Sequence, residues 1–203
     1  AMRNLEANIP ENEPWVVFMD VDETILDNSA YNYSRDVAGL SFTPESWNEW
    51  VMREEAGIVP GSKEFVEFVL SNGGQIALIT NRDREMDAYT WSNLEKLGFP
   101  ITRTNTCIMG RAAADKEAVG RPGIVNDKDL RRNQIMTGDA SYCWESRPEA
   151  KAAWNQPLAV IMQVGDNIKD FIFTTQENVN LEEFLQLQGK DILILPNAMY
   201  GSW

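Results

Sequence analysis

Residues 15–24 read Trp15-Val16-Val17-Phe18-Met19-Asp20-Val21-Asp22-Glu23-Thr24. Five apolar residues in succession suit a strand covered on both faces, because a strand with one wet face would alternate. The run ends abruptly in two carboxylates spaced i, i+2. Comparable apolar runs follow at Gln75 to Thr80, Leu158 to Val164 and Asp191 to Leu195. Helical patterns fill the gaps between them. Thr43-Pro44, in N-cap and N1 order, opens a helix expected to run to about Ala56. Pro60 to Ser71 and Asp83 to Leu97 supply two more, the last stopped by Gly98. Strands alternating with helices in this way predict an α/β fold with a doubly wound parallel sheet.

At 203 residues and 43% hydrophobic, the chain supports one substantial core carrying a small appended cap. We therefore expect one unit over 1–203. Residues 29–58, with Tyr31, Tyr33, Trp47 and Trp50, read as a small helical cap over the C-terminal end of the first strand. Residues 110–145, rich in Gly, Arg and Asp, read as a long irregular insertion. Lys+Arg 18 against Asp+Glu 31 gives 18 − 31 = −13, which repels polyanions and argues against a nucleic acid polymer or an anionic membrane surface as partner. No stretch approaches the roughly 18 apolar residues of a membrane helix, and the N-terminus carries no charged-then-apolar export signal.

The chain contains no histidine. That removes Ser-His-Asp and Cys-His catalysis, histidine phosphotransfer and every imidazole zinc site, so acid–base chemistry falls to carboxylates. Cys107 and Cys143 are too few for a four-cysteine zinc site, and neither has an arginine six residues on. We read them as reduced core residues, since buried free cysteine is common, with a disulfide as the alternative.

In a doubly wound fold, ligands bind at the C-terminal ends of the strands, where Asp20 and Asp22 fall. Clustered acids there are costly unless a cation or a shared proton compensates, so the pair asks for a divalent metal. Gly165-Asp166-Asn167-Ile168-Lys169-Asp170 follows another apolar strand, with Gly165 letting the backbone turn so that Asp166 points into the same crevice. Such an oxygen-rich cluster suits Mg²⁺. Ile79-Thr80-Asn81-Arg82 ends a third strand with a hydroxyl and an amide, neutral donors suited to an anionic oxygen. Three strand ends thus converge on one metal-and-anion site.

Asp20-Val-Asp22-Glu-Thr24, Thr80-Asn81 and Gly165-Asp166-Asn167-x-x-Asp170, in that order, resemble the haloacid dehalogenase (HAD) superfamily of phosphatases. Val21-Asp22-Glu-Thr-Ile-Leu-Asp27-Asn28, with the terminal Leu195-Pro196-Asn197-Ala-Met-Tyr200-Gly-Ser-Trp203, narrows the resemblance to the class C acid phosphatases, the group of the bacterial lipoprotein 5'-nucleotidases. The resemblance implies that Asp20 attacks phosphorus to form an aspartyl-phosphate. Asp22 would protonate the leaving alcohol and then take a proton from water. Mg²⁺ would be held by the Asp20 carboxylate, the Asp22 carbonyl and Asp166, with Asp170 behind it. Thr80 and Asn81 would hold the non-bridging oxygens, and Thr24 would brace the loop.

The family also supplies a cation beside the nucleophile. Counting back nineteen residues from Asp166 reaches Arg147, with Lys151 one turn on as competitor and Lys116 and Lys128 as further alternatives. Trp47 and Trp50, at i, i+3, have the spacing of ordinary helix packing, yet the resemblance places Trp47 opposite Tyr200 as a clamp for a substrate ring. The implied activity is Mg²⁺-dependent hydrolysis of phosphomonoesters, nucleoside monophosphates and aryl phosphates among them. The implied location is the periplasm or the outer membrane of a bacterium, with attachment through a lipid anchor that this stretch does not carry. A homodimer is compatible with the resemblance.

Two other phosphoryl or halide chemistries share parts of this pattern. A receiver domain has no acid two residues after its phospho-acceptor, and a dehalogenase needs neither Asp22 nor Mg²⁺. A catalytically silent capture lipoprotein would keep the cap and its aromatics.

Overall fold

The computed structural model describes residues 1–139, 143, 148–197 and 199. Among them, a five-stranded sheet runs in the order β5 (Thr106–Arg111), β4 (Gln75–Asp83), β1 (Trp15–Met19), β6 (Ala159–Gly165), β7 (Ile192–Ile194), every pair parallel. All of β1 is buried, as its unbroken apolar run requires. Its alternate residues face opposite layers. Val17 and Met19 pack with Phe65, Val66 and Val69 of α4 (Ser62–Ser71) and with Trp91 and Leu94 of α5 (Asp87–Lys96). Val16 and Phe18 pack with Ile135 of α7 (Lys128–Thr137) and Trp154 of α8 (Pro148–Trp154). Helices on both faces of a parallel sheet are the doubly wound architecture expected from the sequence.

Between β1 and α4 the chain leaves and returns through a short antiparallel ribbon, β2 (Leu26–Asp27) against β3 (Gly57–Ile58). The ribbon carries α2 (Ser29–Val37) and α3 (Pro44–Arg53). Thr43 caps α3 as its sequence predicts, its side chain accepting the Ser46 N–H at 3.2 Å, with Pro44 in the first turn. The helix stops at Arg53, short of Ala56, where Glu54 turns left-handed. No described helix is long and apolar enough to cross a membrane.

Two expectations are corrected here. Residues 110–145 are not an irregular insertion throughout: they hold α6 (Ala113–Ala118) and α7. The inward face of α7 is Lys128, Arg131, Arg132 and Ile135, so its period is written in cations rather than in apolar residues. The cysteines, read as reduced, form a disulfide between Cys107 on β5 and Cys143 beyond α7. The bridge spans a separation of 36 residues, and closing a loop of that length contributes about 4 kcal/mol in the chain-entropy account. The loop it closes contains α6 and α7.

Candidate functional site

β4, β1 and β6 are adjacent and parallel, so their C-terminal ends lie side by side. Asp20 follows β1, Thr80 and Asn81 lie near the C-terminal end of β4, and Asp166 follows β6. After Asp20 the chain folds back on itself. The Val21 carbonyl accepts from the N–H groups of Ile25 and Leu26, both at 2.9 Å, and Glu23 N–H donates to the Leu26 carbonyl at 2.8 Å. This tight return forces Glu23 to φ 57°, a left-handed conformation that non-glycine residues hold only when their surroundings fix it. Its fixing partner is the Asn28 N–H, which donates to Glu23 Oε1 at 3.0 Å.

Carboxylate oxygens of Asp20, Asp166 and Asp170, all buried, lie within 4.8 Å of one another. Asp166 is held on both sides, by Thr24 Oγ1 donating to Oδ1 at 3.3 Å and by Asn197 Nδ2 donating to Oδ2 at 2.7 Å. Asp170 accepts the Asn167 N–H at 2.9 Å and packs directly on Gly165. A Cβ at Gly165 would stand 2.2 Å from the Asp170 Cβ. The glycine is needed for this close approach, and its φ is not among the positive ones. Burial pushes the Asp166 carboxyl up to about 6, with Asp170 adding repulsion.

Lys128 reaches this cluster from the first turn of α7. Its Nζ donates to Asp20 Oδ1 and to Asp170 Oδ1, both at 2.5 Å, and its side chain is 2% exposed. Burial alone would lower the lysine; Asp170 and Asp20 outweigh it and hold the ammonium above its ordinary value. Burial drives the Asp20 carboxyl well above the carboxylate range, and Lys128 is the largest influence pulling it back. Arg132, from the same helix, donates to the Lys169 carbonyl at 2.8 Å and to Asp129 at 2.6 Å, tying α7 to the loop that carries the acids.

Asp22 lies apart from this cluster. Its Oδ1 accepts Arg82 Nη2 at 2.7 Å, Arg82 Nε at 2.9 Å and Asn28 Nδ2 at 3.0 Å. It borders a cavity of about 390 Å³ walled by Tyr31, Phe42 and Trp47 from the cap segment and by Asn81 and Arg82 from β4. Asn81 Oδ1 accepts from Arg131 Nη2 at 3.4 Å, which leaves the amide's own N–H groups as donors. Thr80 is fully buried, and its hydroxyl accepts the Arg82 N–H at 3.1 Å.

The whole chain, residues 1–203, matches the HAD superfamily, subfamily IIIB (Acid phosphatase). The chain belongs to this acid phosphatase family. It is similar to the class C acid phosphatase from Bacillus anthracis, at 25% identity and TM-score 0.73, covering 100% of this chain and 75% of that one. The same enzyme with tungstate bound gives 25% identity and TM-score 0.67, over 100% and 74%. Family and neighbours together make the chain a phosphomonoester hydrolase of α/β HAD-like fold.

Within the phosphatase, the sequence-read residues fall into two groups. Asp20, Asp166, Asp170 and Thr24 meet around Lys128; Asp22, Asn81 and Trp47 meet around the cavity. Arg147 and Tyr200 lie outside the described residues, and Lys151 sits exposed on α8. The cation seated on Asp20 is Lys128, named from the sequence only as a further alternative. Asn28, Arg82 and Asn197 also escape the sequence reading as site residues. The terminal Leu195-Pro196-Asn197 motif marks Asn197 without assigning it a partner, and Asn28 and Arg82 likewise end the stretches Val21 to Asn28 and Ile79 to Arg82 without a role of their own.

Proposed function

We propose that this acid phosphatase works through a phosphoryl-enzyme on Asp20, uses Mg²⁺, and prefers phosphomonoesters whose leaving group carries a ring. The observation that carries the reading is the separation of the four acids. Three share one buried cluster with Lys128, while Asp22 faces the cavity beside them. Three carboxylates against one ammonium leave two negative charges in a buried site, the deficit a divalent cation fills. All the donors are hard oxygens, the kind Mg²⁺ takes. Asp20, Asp166 and the Asp22 carbonyl would hold the ion, with Asp170 behind them, tied to Lys128 and to the Asn167 N–H. When bound, the ion offsets the repulsion between a phosphate dianion and the carboxylate that attacks it.

In the first half-reaction an Asp20 oxygen bonds to phosphorus as the ester P–O bond breaks, and Asp22 gives its proton to the departing alkoxide. In the second, Asp22 takes a proton from the attacking water and the P–O bond to Asp20 breaks, releasing phosphate. Thr80 and Asn81 donate to the non-bridging oxygens throughout, and Lys128 stabilises the charge on Asp20 and the phosphoryl group. The Cys107–Cys143 disulfide supports an exported enzyme, because such bridges persist in oxidising compartments.

Two measurements test this reading. With p-nitrophenyl phosphate, a chelator is expected to cut turnover on the order of a hundredfold or more, with Mg²⁺ restoring it. Undiminished activity in chelator would show that the charge deficit is met without a metal. For the ring preference, Trp47→Ala is expected to lose about five- to hundredfold in kcat/KM on a nucleoside monophosphate and little on glycerol phosphate. Trp47 also packs edge-on against Tyr31, with ring centroids 5.1 Å apart, so equal losses on both substrates would assign it to cap packing instead.

A further inference from the structure

Arg82 is 2% exposed, and every nitrogen of its guanidinium is engaged. Nε and Nη2 grip Asp22, Nη1 donates to Thr90 Oγ1 at 3.2 Å, and Nη2 also reaches Asn28 Oδ1 at 3.4 Å. Thr90 is anchored in turn, its hydroxyl donating to the Met86 carbonyl at 3.1 Å. From the cap side the Trp47 ring closes over the guanidinium, its centroid 5.8 Å from Cζ. Asn28 is fixed from below by Trp50 Nε1, which donates to its Oδ1 at 2.8 Å.

The two oxygens of Asp22 are treated differently. Oδ1 takes three donors at 2.7 to 3.0 Å, whereas Oδ2 takes only the Arg82 Nε at 3.2 Å. An oxygen saturated by three N–H groups has no room for a fourth partner. The oxygen with one long contact keeps that capacity.

We propose that Arg82 is the positioning residue of this phosphatase's acid–base step: with Asn28 it locks the Asp22 carboxylate by Oδ1 and leaves Oδ2 as the oxygen that carries the proton. The inference rests on the reading of Asp22 as acid and base given above. Arg82 does not hold the phosphate, because its nitrogens are already spent on Asp22, Thr90 and Asn28. A lysine would not replace it either, since a single ammonium cannot span these partners as the planar fork does. Thr80-Asn81-Arg82 therefore serves two ends of the reaction from one strand terminus, the first two residues facing the transferred group and the third fixing the group that serves the leaving oxygen.

The test compares kcat/KM for p-nitrophenyl phosphate, whose leaving group departs without a proton, with that for an alkyl ester such as glycerol phosphate, alongside inhibition by inorganic phosphate. Arg82→Gln is expected to lose on the order of a hundredfold or more on the alkyl ester and less than about tenfold on the aryl ester, the range general acid catalysis spans. Phosphate inhibition should change by less than about threefold, because no phosphate contact is removed. Arg82→Lys should show the same selectivity in milder form, and it carries the test alone if the glutamine variant does not fold. Equal losses on both esters would assign Arg82 to general stability, weakened phosphate inhibition would assign it to phosphate binding, and an unchanged alkyl rate would make it a bystander; each overturns the proposal. Asp22→Asn, measured in parallel, separates the two levels of the argument. If Asp22→Asn is selective for the alkyl ester and the Arg82 variants are not, only the positioning role fails. If Asp22→Asn is not selective, the acid–base reading itself fails.

Discussion

Asp20→Asn is expected to abolish turnover while leaving the fold in place, with kcat reduced on the order of 10⁵-fold or more, the scale seen when a covalent nucleophile is removed. The amide is nearly isosteric and can still accept from Lys128, whose Nζ sits 2.5 Å from Asp20 Oδ1. It cannot attack phosphorus. The substitution also removes one of three buried negative charges, so thermal stability should hold or rise as repulsion with Asp166 and Asp170 is relieved. Rapid-quench assays should find no phosphoryl-protein in the variant, whereas wild type treated with a slow substrate should accumulate it. Retention of more than a few per cent of wild-type rate, with deamidation excluded by mass spectrometry, would mean that water attacks the ester directly and that Asp20 only binds.

How far the site could be read beforehand follows from where its information lies along the chain. Asp20, Asp22, Thr80, Asn81 and Asp166 sit at the ends of apolar runs, and a parallel sheet brings such ends together by construction. Their convergence was therefore legible from local pattern alone. Lys128 was not. The count of nineteen leads to Arg147, just ahead of α8, the helix that precedes β6, whereas Lys128 opens α7, one helix further back, 166 − 128 = 38 residues before Asp166. The helix itself was hidden, because its buried face is Lys128, Arg131 and Arg132, paired with Asp20, Asp170, Asp115 and Asp129. A hydrophobicity pattern finds only Ile135 there. The one local signal was Gly138, left-handed at the helix C-terminus. Arg82 and Asn28 stand in quoted stretches but take their meaning from Asp22, which precedes them by 60 and 6 residues in the chain. The disulfide, too, is a non-local pairing that the sequence leaves open.

Lys128→Met is the second large effect and the one that separates the structural site from the sequence count. Methionine keeps the stem's volume and removes the charge, so two buried carboxylates lose their common partner. Breaking a buried pair in this way costs about 3–5 kcal/mol, which should appear as a lowered melting temperature. The kinetic effect has a definite sign with pH. Burial already drives the Asp20 carboxyl upward and Lys128 is the main influence opposing it, so without the lysine the carboxyl rises further. A protonated Asp20 is no nucleophile. The acid limb of the kcat profile should move to higher pH, with a loss on the order of a thousandfold at acidic pH and partial recovery as the pH is raised. Lys151→Ala, on an exposed position of α8, should change little. A mild Lys128→Met beside a severe Arg147→Ala would return the neutralising role to Arg147. A loss that stayed constant across pH would mean that Lys128 acts on the phosphoryl oxygens alone and leaves the protonation of Asp20 untouched.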